Sequence, residues 1–201
     1  MNLTSVAVAV TLLYTSPVFV TIMSVIFFKE SLTRRKILSL VLAIFGCMLV
    51  TGVFSSDAHS FGTVGIIFGI LSGFGYALYS IFGKFAINKG YSSETITFYT
   101  FLFSLVFAAP FCDFSGIENV IFDSSFIIGS FGLGVLCCIL PYILYTKGLE
   151  RITGSKAAVL AIIEPAVGAI IGMTVFSEPV YMIKIVGILL VLASTVILNK
   201  E

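Results

Sequence analysis

Tryptophan is absent from this sequence, histidine occurs once, at His59, and Asp, Glu, Lys and Arg together supply only 10% of the 201 residues. Charge so sparse, with a net +1 and a pI near 7.6, leaves no basic patch of the kind that grips DNA or RNA, so nucleic acid is excluded as a partner. No Gly-x-x-x-x-Gly-Lys phosphate loop occurs, so ATP-driven pumping by this chain has no support. Cys47, Cys112, Cys137 and Cys138 stand in or at the ends of apolar runs and show neither a disulfide framework nor metal-ligand spacing. The excess lies elsewhere: 59% of residues are apolar and the mean hydropathy is +1.16, against about 45–50% apolar in soluble domains. A soluble globule is therefore excluded, and several helices must span a bilayer.

Apolar runs between charged or turn-forming clusters predict seven spans, at about 6–28, 36–53, 63–87, 93–112, 126–147, 156–176 and 181–199. The runs lack period-two alternation and are about twice as long as barrel strands, so the expected fold is an all-α integral membrane protein. The first run is of full transmembrane length and no positive region precedes it, which predicts a retained helix and not a cleaved signal peptide. Lys29, Arg34, Arg35, Lys36, Lys84, Lys89, Lys147, Arg151, Lys156 and Lys200 all fall on one side of such a bundle, and only Lys184 falls on the other. By the positive-inside rule the ten mark the cytoplasmic side, with the C-terminus cytoplasmic and the loops at 54–62 and 113–125 outside. The expected location is the plasma membrane. With His59 in an outer loop, no Ser/His dyad or His-ligated metal site can form within the membrane, which argues against an intramembrane enzyme.

An internal repeat is visible. Pro17 matches Pro165, Glu30 matches Glu178 and Lys36 matches Lys184, all at one offset of 148 in the numbering. The charge pattern sets Glu30 and Glu178 on opposite sides, so the two copies cross in opposite directions, as in many secondary transporters. The segments Leu13-Tyr14-Thr15-Ser16-Pro17-Val18 with Lys29-Glu30 and Gly46, and Ala157-Ala158 with Glu164-Pro165, Glu178 and Gly187, resemble the EamA family of the drug/metabolite transporter superfamily. That resemblance implies two five-helix repeats. It makes residues 1–53 the C-terminal part of the first repeat, 54–61 an outer loop and 62–201 a complete second repeat. The chain is then the remnant of a ten-helix, N-terminally shortened member.

Glu164 lies about 12 Å inward from Lys156 at 1.5 Å per residue, near the midplane of a hydrocarbon core of about 30 Å. An acid there needs a partner, a wet cavity or a proton, so Glu164 is a candidate to bind solute or carry a proton, or else it ties helices together. Pro165, Pro17 and Pro141 each remove an amide donor and free a carbonyl four residues earlier, at Ala161, Leu13 and Cys137. Pro17 and Pro165 as repeat mates suit a central site, or serve packing. Tyr142 and Tyr76 add rings with polar tips, suited to an amphipathic solute. Gly65, Gly69 and Gly73 share one helix face, as do Gly168 and Gly172, for packing within the chain or, alternatively, a homodimer. Lys84 is expected to snorkel, and Glu30 and Glu178 to mark helix ends. The function expected is secondary transport of a small metabolite, such as an amino acid or a related compound, with a proton as coupling ion and no cofactor or metal. The alternative is a non-transporting fragment, or a half-transporter that pairs with another chain.

Overall fold

The computed structural model describes residues 6–52, 63–112, 115, 122–177, 179 and 181–200. The outer loop at 54–61, His59 and Glu178 fall outside these. The described residues form α-helices and no strand: α1 (Val6–Leu13), α2 (Ser16–Phe28), α3 (Arg34–Thr51), α4 (Thr63–Asn88), α5 (Ser93–Ala108), α6 (Ser124–Gly132), α7 (Leu140–Arg151), α8 (Gly154–Ala161), α9 (Ile163–Val175) and α10 (Met182–Asn199). Six stretches are long and apolar enough to cross a membrane: Val8–Phe28, Thr63–Asn88, Ser93–Phe111, Ser124–Arg151, Gly154–Val175 and Met182–Asn199. The seventh expected span is α3. It is not among these six: its 18 residues open with Arg34-Arg35-Lys36, so its apolar part runs only about 22 Å.

The chain divides into two compact units, residues 1–82 with 153–201, and residues 83–152. In the first, α3 and α10 cross closely. Ser39 Oγ donates to the Ser194 carbonyl at 2.6 Å, and a Cβ placed on Gly46 or on Gly187 would lie 2.8 Å from the other's carbonyl oxygen. Contacts that pair an early residue of one helix with a late residue of the other make the two antiparallel. Around this crossing Ala43, Cys47, Val50, Val159, Ile162, Ala166, Ile188, Val191 and Leu198 form the core. Val20, Ala77, Ile81 and Ala158 form a second apolar cluster.

The repeat offset recurs in the backbone. α3 and α10 begin and end at matching positions of the two copies, and α1 and α8 end at matching positions. Lys29 and Ser177, also repeat mates, are the non-glycine residues with positive φ among those described, at 53° and 54°. Ser39 is the mate of Gly187 and Gly46 of Ser194, so the hydroxyl–carbonyl contact and the glycine crossing are exchanged by the same two-fold operation. Since the mates α3 and α10 are antiparallel, the copies have inverted topology.

In the second unit α7 is held at its C-terminal end. Lys84 Nζ donates to the carbonyls of Leu149 and Ile152, the latter at 3.0 Å, so its ammonium caps the last turn of α7 and does not merely snorkel. Ser93 Oγ donates to Glu150 at 2.7 Å, and Lys147 pairs with Glu94 at 2.7 Å on the surface. Ahead of Pro141 the helix widens into a π-helical stretch, Leu133–Ile139, in which the Leu140 amide donates to Val135 five residues back. The missing proline donor is thus absorbed by re-registering the ladder, with no break in the span.

Candidate functional site

Pro17 and Pro165 act differently from Pro141: each follows an interruption in its helix. α1 stops at Leu13, and both the amide and the hydroxyl of Thr15 turn back to the Leu12 carbonyl, at 3.1 and 2.7 Å. α8 stops at Ala161, and the Ile162 amide bonds to Val159 at 3.2 Å, in a tighter turn than the α-helix. Irregular backbone at this depth survives only where it is covered by protein or lines a cavity. The first break is covered by α4: a Cβ on Gly73 would come 2.9 Å from Thr15 Oγ1 and 3.0 Å from the Leu12 carbonyl, and one on Gly69 would strike Leu12. The glycine face of α4 therefore serves packing within the chain.

Tyr14 sits in the first break, half-buried at the edge of the core. Glu164, Cys47 and Tyr76 lie in the electrostatic neighbourhood of its hydroxyl. Glu164 stands in the first turn of α9, about 15 Å along the helix from Gly154, so Tyr14 and Glu164 each stand at a helix break. The carboxylate side is open: Glu164 and Gly168 are exposed, and a Cβ on Gly168 would meet nothing within 4 Å. Pro17 is fully buried and Pro165 half-buried, so both shape the backbone and neither offers a contact surface comparable with Glu164.

Of the residues expected at a site, Glu164, Pro165, Pro17 and Tyr76 belong to the first unit, and Tyr76 lies within range of Tyr14. Tyr142 belongs to the second unit, its ring 5.0 Å from that of Phe101. Tyr14 was not singled out by sequence reasoning, although its place three residues before Pro17 sets it at the depth of Glu164 once the repeat is aligned. Among the described residues no cluster of His, Cys, Asp or Glu could hold a metal ion.

Glu30 is a structural anchor. Its carboxylate accepts from the Gly154 amide at 2.9 Å and from the Ser155 hydroxyl, capping the N-terminus of α8, and Lys36 Nζ lies 3.8 Å away. The side chains of both members of that pair are only 7% exposed, and Lys36 also donates to the Ser31 carbonyl at 2.9 Å.

The profile of the EamA-like transporter family matches residues 1–52 and 63–200. An uncharacterized transporter of Archaeoglobus fulgidus is 31% identical over 98% of this chain and 68% of its own length. Bacillus subtilis YxxF, an uncharacterized transporter, is 26% identical over 87% of the chain and 55% of its own length. The uncharacterized inner membrane transporter YicL of Salmonella typhimurium is 25% identical over 84% of the chain and 57% of its own length. The chain thus spans between 55% and 68% of these relatives.

Proposed function

This chain belongs to the EamA-like transporter family, and on that premise we propose that it carries the inverted-repeat core of a secondary transporter for a small metabolite, an amino acid or a related compound, with a proton as the coupling ion. Membership makes it a multi-pass membrane protein of a transporter family and not an enzyme. The observation that supports the finer reading is the place of Glu164, exposed in the first turn of α9 directly after the second helix break. The two breaks belong to oppositely directed copies, and the carboxylate stands on an open face. Glu164 exchanges the proton, Tyr14 orients the carboxylate through its hydroxyl, and Tyr76 offers an aromatic wall to the solute. Residues 1–53 act as the C-terminal part of a first repeat and 62–201 as a whole second repeat, rocking about the α3–α10 crossing. The protein resides in the plasma membrane with its C-terminus in the cytoplasm. A cysteine at Ser92 then labels only from inside and one at Ser115 only from outside; the reverse pattern overturns the orientation.

A second reading, a half-transporter that pairs with another chain, draws on the repeat itself: α4 to α7 have no counterpart within these 201 residues. Purified protein in vesicles, given labelled amino acids and an imposed pH gradient, separates the two. Uptake driven by the gradient supports the transporter; absence of exchange by the folded chain alone, restored by a partner chain, supports the half-transporter.

A further inference from the structure

A groove of about 280 Å³ opens along one face of α2. Its lining is apolar apart from Thr21 and includes Val18, Ile22, Val25 and Ile26, spaced for a single helix face, with Leu32 and Ile37 beyond the end of α2. From Val18 to Ile26 it runs about 12 Å along the helix, most of one hydrocarbon leaflet of about 15 Å. Ile22 and Ile26 are 52% and 64% exposed, so the wall is open to its surroundings.

Two cations stand near the end of α2. Lys29 closes α2 in the left-handed conformation and Arg34 opens α3; both are exposed, and they bracket the loop that contributes Leu32 to the groove. Among the described residues neither pairs with a carboxylate. The one acid of that loop, Glu30, is committed to α8 and Lys36, and Arg35 reaches to the Lys200 carbonyl at 2.6 Å. Two exposed cations thus flank the loop that lines this end of the apolar slot.

The other copy follows the same path without this arrangement. The mates of Lys29, Arg34 and Arg35 are Ser177, Met182 and Ile183, and the mate of Val18 is Ala166, buried at 1% in the core. The positive-inside bias accounts for cations at this end of the bundle, but not for an open apolar groove beneath them.

We propose that the α2 groove is a binding site for an anionic phospholipid of the adjoining leaflet. One hydrocarbon tail lies along Val18, Ile22, Val25 and Ile26, and the phosphate is held by Lys29 and Arg34. Charge complementarity selects the occupant: a second copy of the chain would bring Lys29 and Arg34 against its own cations, whereas a lipid phosphate neutralises them.

Native mass spectrometry of the full chain, released from detergent with added phosphatidylglycerol or phosphatidylcholine, tests this. The expected result is selective retention of phosphatidylglycerol. Lys29→Gln with Arg34→Gln lowers its apparent affinity by about tenfold or more, and Ile22→Trp, which fills the groove while keeping the charges, lowers it as well. Equal retention of the two lipids, or retention unchanged by either variant, overturns the site. Displacement by inorganic phosphate with no effect of Ile22→Trp would mean an anion site without a tail, and a dimer lost on Ile22→Trp would mean a second copy as occupant; both also overturn it.

Discussion

The segments α1–α3 and α8–α10 follow one path in opposite directions, yet they carry different chemistry. Backbone features match at the repeat offset: helix ends, proline-linked breaks and the left-handed Lys29 and Ser177. Side chains diverge between the copies. Ser16 stands where the second copy has Glu164, and Arg34 and Arg35 stand where it has Met182 and Ile183. The path is set by residues that dictate dihedral angles and close approach, and these must recur for the two copies to cross. The carboxylate occurs in one copy only, and under the proposed function a single proton site would serve both.

The comparison can be broken at its most costly contact first. Glu30→Ala removes the α8 cap and leaves Lys36 buried without its carboxylate, a loss of about 3 kcal/mol or more; thermal unfolding in detergent should show a large fall, with Glu30→Gln retaining part of the stability. Only a small shift for Glu30→Ala would mean that the pair is dispensable. Next come the two glycine environments. Gly46→Ala drives a methyl into the Gly187 carbonyl and should cost about 1–3 kcal/mol, whereas Gly168→Ala, with open space around it, should be neutral or stabilising by about 0.5–1 kcal/mol. Equal effects in the same unfolding assay would contradict the α3–α10 crossing. Smallest is relief at the left-handed positions: Lys29→Gly and Ser177→Gly should each stabilise by about 1 kcal/mol, and by similar amounts if the two copies share one backbone.

Much of this organisation was legible in the sequence because membrane folds are written in long apolar runs and in prolines. The repeat offset, read from Pro17, Glu30 and Lys36, reappears in helix ends that the sequence placed only approximately. The intermediate structure was less legible. Whether a proline breaks a helix, as at Pro17, or is absorbed by π turns, as at Pro141, depends on what covers the freed carbonyls, and the covering Gly73 belongs to a different helix, far along the chain from Pro17. The nearness of Tyr14 to Glu164 was missed for a related reason: the two belong to different copies of the repeat, far apart along the chain, with no local signal. Lys84, expected to snorkel, instead caps the end of α7, three helices further on from its own α4.

The central claim is that the carboxylate at the second break exchanges a proton during solute movement. Its most direct test is transport by Glu164→Gln protein in vesicles over a range of pH, with the amount of folded protein measured alongside. The amide keeps the shape and hydrogen-bonding capacity but cannot ionise, so the account predicts folded protein at normal abundance with pH-gradient-driven movement abolished. Wild-type transport with an unchanged pH profile would contradict it.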